Sequence, residues 1–257
     1  MKTLVLGDIH GRLCWYDIIE DEQPDKIVFL GDYVSTHEDI SVEQQCSNLE
    51  DILNYKAANP DKVILLRGNH DMQHLGYSWA ACSGLDMSVQ NYMMQIKDRF
   101  LKLTQWVHVE DNVVFSHAGI SKVWMENVGL DDVNKINDLP PSEKFGFWPC
   151  KLSDYSGDSA TQPPTWIRPW ALISYAFADY TYVVGHTCVN YHKPQVTYLN
   201  DMCVEGYKNS FMFDENEERC KNVIKQYQDA NPIWCCDALP HSYLIIEDDK
   251  FIPCHIL

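Results

Sequence analysis

Basic residues are scarce: 20 lysines and arginines stand against 37 aspartates and glutamates, a formal charge of −17. A broad basic face that grips phosphate backbones is therefore not expected, and extended nucleic-acid binding is disfavoured. Cysteine is thin as well. Ten cysteines among 257 residues is roughly 4%, below the roughly 8–10% of a disulfide scaffold, and without a repeating spacing the thiols are expected to be reduced. Long hydrophobic runs are missing. Leu4-Val5-Leu6 stops at Gly7-Asp8, short of the roughly 7–15 apolar residues of an export signal, and no stretch nears the roughly 18 of a membrane span. The expectation is a cytoplasmic chain with no membrane partner. Internal repeats and low-complexity tracts are absent too, so 1–257 reads as a single domain, and 46% hydrophobic with 22% charged residues is a globular composition.

What is present is a run of short apolar segments, at 3–6, 26–30 and 63–66, each rich in Val, Ile and Leu and each ending at a polar, glycine-containing turn. These read as buried parallel strands. Helical segments are expected at 12–20 and at 42–58, where Val42, Cys46, Leu49, Ile52 and Leu53 recur at helical spacing behind Ser41 as N-cap. The strand–helix alternation implies right-handed crossovers and a ligand-binding edge at the carboxyl ends of the strands. A helix over 86–104, strands at 113–116, 182–184 and 243–247, and a turn at Asp248-Asp249 into a strand at 251–252 complete the reading. The proline-rich loop 137–169 and the insertion 190–233, with a charged helix at 215–229, are expected to shape specificity.

Five motifs fall at strand ends: Gly7-Asp8-Ile9-His10-Gly11, Gly31-Asp32-Tyr33, Gly68-Asn69-His70-Asp71, Ser116-His117-Ala118-Gly119 and Gly185-His186-Thr187. Asp, Asn and His supply oxygen and imidazole ligands that suit Mn, Fe or Zn, and glycines let backbone turn sharply against a ligand. Each motif alone is weak, because a polar residue capping a strand gives the same pattern. Five in this order point to one shared site.

With these motifs, and with Leu65-Leu66-Arg67-Gly68-Asn69-His70-Asp71 in particular, the chain resembles the calcineurin-like metallophosphoesterases, most nearly bacterial and phage serine/threonine phosphoprotein phosphatases. The resemblance spans residues 2–246. It implies an α/β fold, a four-layer αββα sandwich with mixed sheets and surface insertions. It implies that Asp8, His10 and Asp32 hold one divalent metal and that Asp32, Asn69, His117 and His186 hold a second, Asp32 bridging them. Manganese is the expected metal, with Fe, Zn or Mg accommodated by the same donors. The pair would make a hydroxide available at neutral pH for in-line attack on phosphorus. His70 would be the general acid toward the leaving oxygen. Trp166-Ile167-Arg168 resembles an element that clamps phosphate oxygens through its arginine, which selects Arg168. The implied activity is hydrolysis of a phosphomonoester, on phosphoserine or phosphothreonine of a phosphoprotein or on a small phosphorylated substrate.

The chain departs from that family where Ser35-Thr36-His37 follows Val34, losing an aspartate that would orient the histidine and an arginine that would hold phosphate. Ser35, Asp39 or Asp71 could stand in for the first, and His37 for part of the second. Cys188 replaces the second histidine of a Gly-His-x-His ending, which disfavours diesterase chemistry; it reads as a small buried thiol rather than a soft ligand. Cys235-Cys236 reads as strand packing, and Trp166, Trp170 and Tyr175 as hydrophobic cover rather than an aromatic wall. The histidines outside the motifs, His74 and His108 among them, read as ordinary satisfied residues. Two other functions use the same residues: nucleotide or diadenosine polyphosphate hydrolysis, and a catalytically weakened binding scaffold.

Overall fold

The computed structural model describes residues 1–77, 82–141, 157–188, 197–198 and 232–256. The helix expected at 215–229, most of the insertion 190–233 and the middle of the loop 137–169 lie outside them.

Two five-stranded mixed sheets form the molecule, the architecture expected from the resemblance. In the first, β1 (Lys2–Leu6), β2 (Lys26–Phe29) and β3 (Val63–Leu65) run parallel, and β9 (Ser242–Glu247) and β10 (Lys250–His255) extend the β1 edge antiparallel. In the second, β5 (Val113–Ser116), β6 (Thr181–Val184) and β8 (Ile233–Cys235) run parallel, flanked by antiparallel β4 (Val107–Glu110) and β7 (Thr197–Tyr198).

Alternation along the strands sorts the layers. Val5, Val28, Leu30 and Leu66 share a buried cluster with Phe115, Val183, Cys236 and Leu244, so one face of each sheet meets the other. Leu4, Leu6, Ile27 and Phe29 point the opposite way, into a larger cluster with Leu49, Ile52, Leu53, Met93 and Phe100. Those side chains come from α2 (Val42–Ala58) and α4 (Met87–Leu103), and α1 (Trp15–Glu22) joins them through Trp15, whose ring lies 5.7 Å from Phe29. Val114, Tyr182 and Val184 belong to the same cluster as Trp124 and Met125 of α5 (Lys122–Val128). Strands with period-two patterning and apolar residues on both faces are what a two-sheet sandwich with outer helices requires.

Local signals act where the sequence placed them. The Ser41 side chain accepts from Gln44 N at 3.1 Å and starts α2, and Asp86 accepts from Ser88 N at 2.7 Å and starts α4. Asp248 and Asp249 both adopt positive φ, 49° and 61°, the tight turn that joins β9 to β10. The first helix begins at Trp15 rather than at residue 12, because His10 N and Gly11 N donate to the carbonyls of Asp32 and Tyr33 and hold the preceding turn against the second motif. Strand β4 and helix α5, with 4 and 7 residues, are too short to stand out by period alone. No helix among the described residues is long and apolar enough to cross a membrane.

Arg67 directly precedes the third motif but faces away from the motif loops. It is buried, donates to Thr104 Oγ1 at 2.9 Å and to the carbonyls of Leu101 and Thr104 at 2.8 and 2.7 Å, and stacks 4.6 Å over the Trp106 ring. A cation is favoured against the carbonyl end of α4, and it ties that helix to the strand that delivers Asn69. Arg67→Met is expected to lower the unfolding free energy by about 2–4 kcal/mol in urea titration; a loss below about 1 kcal/mol would show that the anchor is dispensable.

Candidate metal centre

Each parallel strand ends at a loop that delivers one or two polar side chains to a common point. Asp8 and His10 follow β1, Asp32 follows β2, Asn69 opens the short helix α3 (Asn69–His74) after β3, His117 follows β5 and His186 follows β6. Ligand atoms of Asp8, His10 and Asp32 lie within 4.8 Å of one another, and so do those of Asp32, His117 and His186. Asp32 belongs to both groups. Asn69 Oδ1 joins the second, 2.9 Å from His117 Nε2 and 3.0 Å from His186 Nδ1. All six residues named from sequence thus converge; Asp8, His10, Asp32, Asn69 and His186 line a cavity of about 370 Å³, and His117 lies buried behind it.

Backbone groups build the arrangement. His186 N donates to both Asp8 oxygens at 3.0 and 3.1 Å, and His70 N donates to Asp32 Oδ1 at 2.9 Å. Asp71, fully buried, accepts from Asp32 N, Tyr33 N and Gly68 N at 2.8–2.9 Å, locking the second and third motifs together. The approach is so close that a Cβ on Gly185 would sit 2.2 Å from Asp8 Oδ1, and one on Gly68 would sit 2.0 Å from Asp32 Oδ1. His10, Asp32 and His186 adopt φ of 47°, 51° and 61°. Left-handed backbone at non-glycine residues costs of order 1–3 kcal/mol each and persists where surroundings enforce it.

The electrostatics call for a cation. His117 Nδ1 faces the Leu30 carbonyl at 2.9 Å, so that nitrogen carries its hydrogen. A neutral ring then turns a lone pair at Nε2 toward Asn69 Oδ1 and toward Asp32 Oδ2, 3.3 Å away. Three acceptors meeting at one point need a positive charge between them, a proton or a metal. Burial opposes a charge on His117, yet Asp32 outweighs it and raises the imidazole to about 10. Burial also pushes Asp32 up, but the His117 and His70 charges win and hold it well below the carboxylate range. Burial, reinforced by Asp237, drives Asp8 well above that range. Mixed Asp, Asn and His donors fit Mn, Fe, Zn or Mg.

Around this cluster stand His70, Arg168 and Trp166, all lining the cavity. Burial lowers His70 to about 4 against the pull of Asp32. Arg168, the N-cap of α6 (Pro169–Leu172), donates from Nη1 to the His186 carbonyl at 2.9 Å and to Thr187 Oγ1 at 3.0 Å. The Trp166 ring lies 5.7 Å from His186, so this residue is a wall of the cavity, whereas Trp170 and Tyr175 are exposed and off it. Cys188 does not line the cavity, and His37 and Asp39 are exposed and off it as well. In place of the missing aspartate, Asp71 is committed to backbone and Ser35 approaches His70 by way of Gln73 and His74.

Four residues at or beside the cavity escaped the sequence reading: Cys82, Ser83, Asp237 and Gln73. Asp237 lines the cavity two positions past β8, the same strand-end signal as the five motifs, hidden because the adjoining cysteines drew attention to packing. Gln73 carries no chemical signature and is found only by its contacts.

A mixed α/β sandwich whose strand ends converge on Asp, Asn and His defines a metal-dependent hydrolase of the phosphoesterase class. The calcineurin-like phosphoesterase family profile matches residues 1–217, and the chain belongs to that family. It is 27% identical over 154 residues to human serine/threonine-protein phosphatase 5, covering 54% of this chain and 28% of the relative. It is 25% identical over 151 residues to a probable serine/threonine-protein phosphatase of Encephalitozoon cuniculi, covering 55% and 32%. The alignments therefore span about a third of those relatives or less. Among solved structures, a cold-active protein-tyrosine phosphatase from a psychrophilic Shewanella shares the fold, with TM-score 0.59, 16% identity and coverage of 99% and 77%.

Because a metal displaces the proton on His117, its binding at neutral pH is expected to release about one proton or more. Calorimetric titration of chelator-stripped protein with Mn in buffers of different ionisation enthalpy measures this. Affinity should weaken as pH falls, and binding without proton release would refute the placement of His117 among the ligands.

Proposed function

We propose that this protein is a metal-dependent phosphomonoester hydrolase acting on phosphorylated protein. The observation that carries the reading is the carboxylate of Asp32, shared by two overlapping ligand groups on a cavity that also presents an arginine and a histidine. Asp8, His10 and Asp32 would hold one divalent ion, and Asp32, Asn69, His117 and His186 a second, with manganese the first choice. When bound, such a pair polarises the phosphoryl oxygens and supplies an activated water. Asp237 adds a third carboxylate to Asp8 and Asp32, which lowers the formal charge of a doubly loaded centre from about +2 to about +1 and still favours a phosphate anion over the acidic surface.

The chain's own residues then do three things. Arg168, braced against the His186 carbonyl and Thr187, turns its guanidinium fork to the phosphate oxygens. His70, its backbone N–H fixed by Asp32, presents its ring at the leaving oxygen. Trp166 narrows the cavity beside His186, which orients the ester and displaces water. The names of the curated relatives support a phosphoserine or phosphothreonine substrate, and the unbridged state of the seven described cysteines supports a reducing, cytoplasmic setting.

The test is hydrolysis of p-nitrophenyl phosphate by chelator-stripped protein reloaded with Mn, with bis-p-nitrophenyl phosphate alongside. A metal-dependent monoesterase rate is expected, falling about 100-fold in Asn69→Ala. Absence of any rate from protein that has bound its metals, or preference for the diester, would overturn the reading. Arg168→Ala should raise KM for the monoester about tenfold while leaving metal affinity intact.

A further inference from the structure

Beside His70, next to the cavity-lining residues Cys82 and Ser83, lies a group of opposite hydrogen-bonding sense to a carboxylate. The Gln73 amide is buried, and its orientation is set by backbone: Oε1 accepts from Cys82 N at 3.2 Å and Nε2 donates to the Ser83 carbonyl at 3.1 Å. Nε2 therefore also faces His70 Nδ1 and Ser35 Oγ, each 3.4 Å away. The ring's own backbone is pinned as well. His74 Nδ1 meets the His70 carbonyl at 2.9 Å, while His74 Nε2 accepts from Asp86 N at 3.3 Å, so His74 donates to His70. Ser35 Oγ in turn donates to the Gly84 carbonyl at 3.1 Å. One of the two Nε2 hydrogens goes to the Ser83 carbonyl and the other lies between Ser35 Oγ and His70 Nδ1, so the ring nitrogen faces a donor.

We infer that Gln73 is a positioning residue that holds His70 with Nδ1 as acceptor and its only hydrogen on Nε2, and that this selects esters of acidic hydroxyls, aryl phosphates, over alkyl phosphates. The inference rests on the phosphomonoesterase reading. An amide N–H aimed at Nδ1 would collide with a hydrogen there, which a carboxylate in the same place would welcome. The ring then offers the leaving oxygen one N–H. Giving that hydrogen away completely would leave an imidazolate, so the P–O bond breaks with the leaving oxygen hydrogen-bonded rather than protonated, and the departing anion takes its proton from water. A phenolate, whose conjugate acid has a pKa of about 10, leaves readily on those terms. An alkoxide, with a conjugate acid near the 15.7 of water, does not. This narrows the phosphoserine and phosphothreonine expectation toward phosphotyrosine or another aryl ester.

The experiment compares Mn-loaded wild type, Gln73→Glu and Gln73→Ala on p-nitrophenyl phosphate, phenyl phosphate, phosphotyrosine, phosphoserine and ethyl phosphate. Wild type should favour the aryl esters in kcat/KM by at least about 100-fold, with kcat falling steeply as the leaving hydroxyl becomes less acidic. Gln73→Glu, which supplies an acceptor to Nδ1, should raise the alkyl rates and narrow that preference at least about tenfold. Gln73→Ala should lower kcat with little change in KM. A purely structural role would move all esters together. Independently of turnover, the two-bond ¹H–¹⁵N spectrum of metal-free protein, with His70 assigned by subtraction of His70→Asn, should show hydrogen on Nε2 in wild type and on Nδ1 in Gln73→Glu. Hydrogen on Nδ1 in wild type, or similar aryl and alkyl rates, would overturn the inference and leave the phosphomonoesterase reading standing; absence of turnover of every ester would overturn both.

Discussion

Two carboxylates taken out of water govern this molecule. Asp8 and Asp32 sit at the ends of neighbouring strands with almost no solvent, and a buried charge must find hydrogen bonds or a counter-ion. Asp8 is served by the backbone of His186 and Asp32 by that of His70, while Asp71 collects three more N–H groups from the loops between them. Those amides come from different strands, so each carboxylate fixes a loop other than its own. The glycines are consequences of the same demand, since at Gly68 and Gly185 a side chain would occupy the space of a carboxylate oxygen. Left-handed backbone at His10, Asp32 and His186 is a further one.

Much of this was legible before any coordinates. The three parallel strands, the helix cap at Ser41, the helix that follows Asp86 and the turn at Asp248-Asp249 follow from local patterning that tertiary structure had no reason to override. The six polar residues brought together are those that the strand-end motifs and the family resemblance singled out. What local pattern does not encode is contact across the fold. Asp237 reaches the cavity because β8 pairs with β6, and Gln73, one helical turn from His70 in α3, is fixed by Cys82 and Ser83 from beyond the helix. Edge strand β4 and helix α5 escaped for a different reason, being short and half-covered, with little period to detect.

The acidic surface and the site pull in opposite directions, and distance decides between them. A net charge of −17 is spread over a surface that water and salt screen within about 10 Å, whereas the charges that would meet a phosphate act at contact range in a partly dry cavity. Arg168 gains from that dryness. Its guanidinium is braced from behind by a carbonyl and a hydroxyl. Where the sequence departs from the family pattern after Val34, neutral and backbone partners stand around His70.

The bond between the His186 amide and Asp8 spans 178 positions of sequence. Closing a loop of that length costs chain entropy that no neighbouring helix repays, and contacts of such separation form late and slowly. Four of the six candidate ligands, Asp8, His10, Asp32 and Asn69, follow the amino-terminal parallel strands and two, His117 and His186, follow strands of the later sheet, so the group of Asp32, His117 and His186 exists only once the two sheets meet. The complete cluster is thereby a product of finished folding, assembled only when the first and the last parallel strands have found their places in the two sheets.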